Sequence, residues 1–236
     1  MPTSFTDDLR LAHVLADDAD SLSTSRFRAL DLHVVNKPDL TPVTDADKSV
    51  EEGIRRTLSR ARPRDAVLGE ETGSTGHSQR RWVVDPIDGT KNYVRVVPVW
   101  ATLIALMVDD EVVVGVVSAP MLQRRWWASK DGGAWTGRSL LKATECHVSD
   151  VSRLDDASLS YSSFTDWDEH DKLDAFLALA RRVWRTRAYG DFWSYMLLAE
   201  GAVDLAGLTA APYLLAAWDR VTRGRAAPEP QTVDAS

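Results

Sequence analysis

A single cysteine, Cys146, occurs in 236 residues. That excludes an internal disulfide and a thiolate metal cluster, and it leaves Cys146 as a passive thiol. Histidine is scarce too, and His13, His33, His77, His147 and His170 show no ligand spacing. They read as surface or packing residues. No apolar run is long enough to span a bilayer. Met1 to Arg10 carries polar and acidic residues where a signal peptide needs a basic and then an apolar stretch, so a cytoplasmic protein is expected. Positive charge is in deficit: 28 Lys and Arg against 35 Asp and Glu give −7. That balance argues against a nucleic-acid or membrane-surface partner, because phosphate surfaces attract clustered cations. An acidic protein that binds phosphate needs metal ions or local donors to offset its own field.

What is present suits a sizeable core. Apolar residues make up 44%, enough for one large domain or two closely joined halves. Phe5 to Leu30 reads as a helix, with Leu11, Leu15 and Leu22 near one face and a solvated acidic run, Asp17-Asp18-x-Asp20, on the other. Asn36 to Asp39 marks a loop. A second helix starts near Thr44 or Asp45, runs through Val50, Ile54 and Leu58, and ends at Arg62-Pro63-Arg64. Strands follow at Ala66 to Leu68 and Arg81 to Val84. Hairpins are expected around Asp109-Asp110-Glu111 and Asp131-Gly132-Gly133. Trp126-Trp127 reads as core and interface. Beyond Asp150 a strand (Ala157 to Tyr161), a helix (Glu169 to Val183), a short strand to Gly190 and a helix (Asp191 to Ala199) alternate, which predicts α/β layering.

The chemistry concentrates in Asp85-Pro86-Ile87-Asp88-Gly89-Thr90. A turn of this sequence can aim both carboxylates and the Ile87 carbonyl at one point. Hard oxygen ligands of this kind suit Mg²⁺. Thr90 to Val94 can start a helix whose free N–H groups favour an anion. Glu70-Glu71, fifteen residues before Asp85, and Asp47 add carboxylates of the kind a two- or three-ion site requires. Each acid taken singly reads as a solvated surface residue or a cap.

These motifs, with Thr44-x-x-Asp47 and Ala188-Tyr189-Gly190-Asp191, resemble the inositol monophosphatase family over roughly Leu30 to Ala206. Lys37 to Thr44, Pro98 to Ala101, Arg124 to Trp127 and Arg187 to Asp191 resemble more narrowly its actinobacterial-type histidinol-phosphatase branch. The resemblance implies alternating helix and sheet layers and two or three Mg²⁺ ions. One ion would be held by Glu70, Asp85 and the Ile87 carbonyl, a second by Asp85, Asp88 and Asp219. It implies that Asp88, Gly89 and Thr90 bind the phosphate. Glu70 and the Thr90 hydroxyl, the latter oriented by Asp47, would position and deprotonate a water for in-line attack. Arg187 and Asp191 would choose the substrate, Asp191 by pairing with a cationic amine or imidazolium; Asp191 also reads as a helix N-cap and Arg187 as a strand-edge ion pair. The substrate expected is L-histidinol phosphate, with inositol-1-phosphate or a related polyol phosphate as the alternative. A homodimer is a common assembly in the family.

Three regions are expected: an N-terminal α+β half at 1–150 with the metal and phosphate motif, a C-terminal α/β half at 151–206 with the substrate residues, and an atypical tail at 207–236. In the tail, Leu208 and Leu215 stand where the family has acids, and Trp218-Asp219 comes about four residues late. Arg220-Val221-Thr222-Arg223 follows. This departure reads as an altered frame or truncation that leaves the C-terminal sheet incomplete, or as a variant in which Asp219 slides into the metal site. A non-catalytic relative that binds metal or phosphate is the reading of a different class.

Overall fold

The computed structural model describes residues 5–38 and 41–207. Helix α1 (Thr6–Arg26) leads to a short antiparallel pair, β1 (Val34–Asn36) with β2 (Pro42–Thr44), and then to α2 (Asp45–Ala61). Strands β3 (Ala66–Gly69), β4 (Gly73–Thr75) and β5 (Arg80–Asp88) follow, then the one-turn helix α3 (Thr90–Val94). A meander comes next: β6 (Ala101–Val108), β7 (Glu111–Ala119), β8 (Arg124–Ser129), β9 (Gly133–Ser139) and β10 (Lys142–Glu145). The last part holds β11 (Ser158–Ser160), α4 (Phe164–Glu169), α5 (Leu173–Ala180), β12 (Arg185–Arg187), α6 (Asp191–Ala199) and β13 (Leu205–Ala206).

The centre is an eight-stranded sheet ordered β10-β9-β8-β7-β6-β5-β3-β4. Its middle strands are apolar on both sides because both faces are covered. Ile104 and Leu106 of β6 and Val114 and Val116 of β7 meet Leu15, Ala16, Val50, Ile54 and Leu58 from α1 and α2. The alternate residues Ala101, Leu103 and Val117 face Phe192 and Met196 of α6. Ile54 and Leu58 are about 1% exposed, and burying each stabilises the fold by about 1.5–3 kcal/mol. The second sheet, β12-β11-β13, is parallel. The layered α/β architecture is as expected.

Local chemistry sets the boundaries. Thr44 caps α2 in a reciprocal capping box with Asp47. The β6–β7 hairpin turns through Asp109 and Asp110, both left-handed at φ 51 and 64, as a two-residue primed turn requires. The expected helix over 169–183 is corrected. Helix α4, capped by Ser163, starts at Phe164, five residues earlier than that span, and the chain breaks at His170–Lys172, with Asp171 at φ 53, before α5. The acidic run on α1 is also less solvated than expected. Arg125, 8% exposed, donates to Asp20 Oδ2 at 2.7 Å and to Ser118 Oγ at 2.9 Å, and its Nη2 lies 2.9 Å from Asp17. His13 beside it is driven down to about 4 by burial first and by the Arg125 charge second. Trp126 and Trp127 are core residues.

Candidate active site

The Asp85–Thr90 run is not a simple turn. Strand β5 continues to Asp88, with its register against β6 broken between Asp85 and Asp88. Such a bulge re-aims side chains at a strand end. Pro86, which cannot donate to the ladder, sits in the bulge, and its carbonyl accepts from the buried Thr102 hydroxyl at 2.8 Å. Gly89, at φ 89, then turns the chain into α3. A Cβ at Gly89 would lie 3.2 Å from the Val99 carbonyl and 3.4 Å from Asp191 Oδ2, on a backbone that L side chains rarely adopt.

The predicted acids converge from four elements. Asp47 is fully buried at the start of α2, and its Oδ2 accepts from the Thr44 amide at 2.8 Å and hydroxyl at 2.6 Å. Its Oδ1 lies 3.4 Å from the Thr90 hydroxyl, while that hydroxyl donates more closely to the Ile87 carbonyl at 2.9 Å. Glu70 follows β3. Asp88 accepts the Phe192 amide at 2.6 Å on Oδ2, so the first turn of α6 docks onto the strand bearing the motif. Asp191 opens α6 in a left-handed conformation, φ 46, with its amide donating to Ser162 Oγ at 2.9 Å. Arg187 is not brought into this group. Its exposed guanidinium donates to the Thr186 carbonyl at 2.7 Å and contacts none of the site's carboxylates. Asp219 lies outside the described residues, as do Leu208, Leu215 and the rest of the expected tail beyond Gly207.

Three partners escaped the sequence reading. Lys37 Nζ lies 2.8 Å from both Glu70 Oε1 and Glu71 Oε1. Glu51, fully buried on α2, accepts from the Glu71 amide at 2.8 Å and the Thr72 amide at 3.2 Å. It fixes the turn that presents Glu70. A Cβ on Gly69 would fall 2.1 Å from Glu51 Oε1, so any side chain there displaces the buried Glu51 carboxylate. Asn92 Nδ2 donates to the Val99 carbonyl at 2.9 Å and reaches Asp191 Oδ2 at 3.4 Å. The signals were present, as a carboxylate one helical face from Val50 and Ile54 and as an amide two residues after Thr90. Their partners lie too far along the chain to be paired by spacing.

The electrostatics show what the cluster wants. Burial, with the Asp88 and Glu70 charges beside it, holds the Asp85 carboxyl well above the usual range. Asp88 is pushed up to about 7, by burial first and then by the Asp191 charge. Asp47 rises to about 6 through burial, opposed by the Thr44 hydrogen bonds. Asp85 Oδ1 is buried with no partner among the described residues. Crowded, desolvated carboxylates with an orphaned oxygen fit a bound divalent cation, and the donors are all hard oxygens. Among the described residues, no group of three or more acids, histidines or cysteines stands close enough together to hold a metal ion as placed. Lys37 holds Glu70 and the Phe192 amide holds Asp88 Oδ2, so internal donors partly stand in for positive charge.

The sequence profile described as "Inositol monophosphatase family" matches residues 9–221. The chain belongs to the inositol monophosphatase family. The histidinol-phosphatase of Streptomyces coelicolor is 66% identical over 205 residues, covering 85% of this chain and 77% of that one. The histidinol-phosphatase of Mycobacterium tuberculosis is 58% identical over 201 residues, with the same coverage of 85% and 77%. Among solved structures, an inositol monophosphatase from Zymomonas mobilis, described as having a flexible region at its active site, superposes with a TM-score of 0.77 at 32% identity. It covers 93% of this chain and 83% of that chain. The family expectation and its narrower histidinol-phosphatase leaning both agree with these relatives. In family terms, the Asp85–Thr90 motif, Glu70 and Asp47 lie where β3, β5 and α2 meet. Among the described residues, no helix is long and apolar enough to cross a membrane.

Proposed function

We propose that this family member is a Mg²⁺-dependent phosphomonoesterase that takes L-histidinol phosphate to L-histidinol, a step of histidine biosynthesis. The observation that carries the reading is the convergence of Asp47, Glu70, Asp85, Asp88 and Asp191 in a chain 66% identical to a histidinol-phosphatase. Glu70, Asp85 and the Ile87 carbonyl would hold one ion. Asp85 and Asp88 would hold a second, with Asp219 as the remaining ligand. The family match runs to residue 221, past Asp219, which supports keeping it in that role. When bound, the ions supply charge for the phosphoryl oxygens and for the leaving alkoxide, and they make water acidic enough to react near neutral pH.

The chain's own residues do the rest. Gly89 and Thr90 receive the phosphate on backbone N–H groups. The Thr90 hydroxyl, within 3.4 Å of Asp47 and 2.9 Å of the Ile87 carbonyl, orients the attacking water, with Glu70 accepting its proton. Asp191 pairs with the ammonium or imidazolium of the substrate; Arg187, which contacts none of the site's carboxylates, is given no role in that pairing. Division into the 1–150 and 151–206 halves places phosphate chemistry in the first and substrate choice in the second. A homodimer is the assembly we propose, in a cytoplasmic setting. Phosphate release from L-histidinol phosphate with and without Mg²⁺, beside inositol-1-phosphate, tests the assignment. Release must require Mg²⁺ and favour the amine-bearing ester, and equal or reversed preference overturns it.

A further inference from the structure

The Asp191 carboxylate, proposed above to receive the substrate's cation, does not stand alone. Asp191 and Asn92 are 99 residues apart in sequence. The Asn92 side chain nevertheless crosses from α3 to the first turn of α6. Its orientation is dictated by its partners, because a carbonyl and a carboxylate oxygen can only accept, so the amide nitrogen must face both. The Val99 carbonyl, at 2.9 Å, anchors that nitrogen beside the phosphate turn. Asp191 is fixed independently from its backbone side by Ser162, at the C-terminal end of β11. Its Oδ2 is therefore lodged between Asn92 and the bare backbone of Gly89. Its Oδ1 makes no hydrogen bond to a described residue and is not among the buried orphaned oxygens, so it is the oxygen left for a ligand.

We propose that Asn92 is a positioning residue for substrate choice: by holding Oδ2 of Asp191 against the phosphate turn, it aims Oδ1 at the cationic end of an amino-alcohol phosphate ester. Two observations carry this beyond packing. Asp191 at φ 46 leads into a helix from a left-handed backbone that aspartate tolerates, and Ser162 at its amide and Asn92 at its carboxylate hold that conformation from both sides. The same amide also touches the loop that leads from α3 into β6. One side chain thus fixes the separation between the place where the phosphate binds and the place where the amine binds. An ester without the amine gains nothing from that spacing.

The inference rests on Asp191 receiving the amine, so the test separates the two claims. KM and kcat are measured with Mg²⁺ for L-histidinol phosphate and for glycerol phosphate, which lacks an amine, in Asn92→Ala, Asn92→Ser, Asp191→Asn and the Asn92→Ala/Asp191→Asn double variant. Asn92→Ala is expected to raise KM for histidinol phosphate about tenfold, the usual effect of a lost hydrogen bond to a charged group, and to leave KM for glycerol phosphate within about twofold. In the Asp191→Asn background the same change is expected to have little further effect. Asn92→Ser, whose short hydroxyl cannot bridge both acceptors, gives the same pattern if the alanine variant folds poorly. If Asp191→Asn itself does not discriminate between the esters, the amine-binding reading of Asp191 fails and this inference falls with it. If Asp191→Asn discriminates but the Asn92 variants depress kcat equally on both esters, or change neither, Asn92 is only a structural tie.

Discussion

Replacing Asp88 by asparagine is expected to stabilise the fold of the metal-free protein while abolishing hydrolysis when Mg²⁺ is supplied. The carboxyl is held near 7 rather than at its usual 3.8, chiefly by burial and by the Asp191 charge. At about 1.4 kcal/mol for each tenfold change in proton affinity, ionising it at pH 8 costs the native state about 4 kcal/mol. That figure is an upper limit, because Asp88 retains some contact with solvent. The sign follows from linkage. The native state holds this proton more tightly than the unfolded chain, so the metal-free protein loses stability as pH rises from about 4 to about 7. Asparagine removes the charge and can still accept the Phe192 amide. In EDTA at pH 8, Asp88→Asn should therefore raise Tm by roughly 8–16 °C, at about 2–4 °C per kcal/mol for a chain of this size. At pH 5 the gain shrinks to about half or less, because the native carboxyl is already protonated there. Thermal unfolding at the two pH values, with and without Mg²⁺, makes the measurement. The parent is also expected to gain more from Mg²⁺ at pH 8 than at pH 5, and Asp88→Asn to lose most of that gain. An Asp88→Asn protein no more stable than the parent in EDTA at pH 8 would refute the crowded-carboxylate account of the site.

The other predictions rest on single contacts. Lys37→Met is expected to lower the stability of the metal-free protein and enlarge its response to Mg²⁺, because Glu70 and Glu71 lose the cation they share; calorimetry with and without Mg²⁺ checks both. Gly69→Ala should destabilise by about 1–3 kcal/mol and reduce activity, since the new methyl collides with Glu51 and displaces the Glu70 turn. Chemical denaturation beside a phosphate-release assay would show the two losses together. Arg125→Leu is expected to cost about 3 kcal/mol by leaving Asp20 part-buried without its cation. Adding Asp20→Asn should restore much of that loss, a coupling read from the double-mutant cycle.

Much of the scaffold follows from short-range chemistry. Thr44 and Asp47 start α2 because a threonine cap and an acid three residues on satisfy the first amides of any helix. The Asp109-Asp110 pair makes a two-residue hairpin because aspartate tolerates left-handed backbone. The motif from Asp85 to Thr90 shows its chemistry in its own residues, a strand end with two acids, a proline and a glycine. What sequence periodicity misread was also local but ambiguous. The stretch 169–183 reads as one helix, but α4 starts before it, and Asp171 at positive φ separates α4 from α5 within it. Strand β11 lies within the expected Ala157 to Tyr161, whereas β1, β2 and β13 carry too few residues to declare a period.

The tertiary structure alone decided which charges meet. Lys37 reaches Glu70 across 33 residues, Phe192 reaches Asp88 across 104, and Arg125 reaches Asp20 across 105. No spacing rule spans such distances, because chain separation says nothing of proximity once the sheet has stacked its strands. By itself the sequence determined that this chain carries an acidic motif of the inositol monophosphatase family, since that motif is contiguous. Only the packed sheet, with α2 on one face and α6 on the other, decided that those acids meet, Asp47 buried and Asp85 and Asp88 half-buried beside the more exposed Glu70, crowded enough to favour a cation, and joined through Asn92 to Asp191.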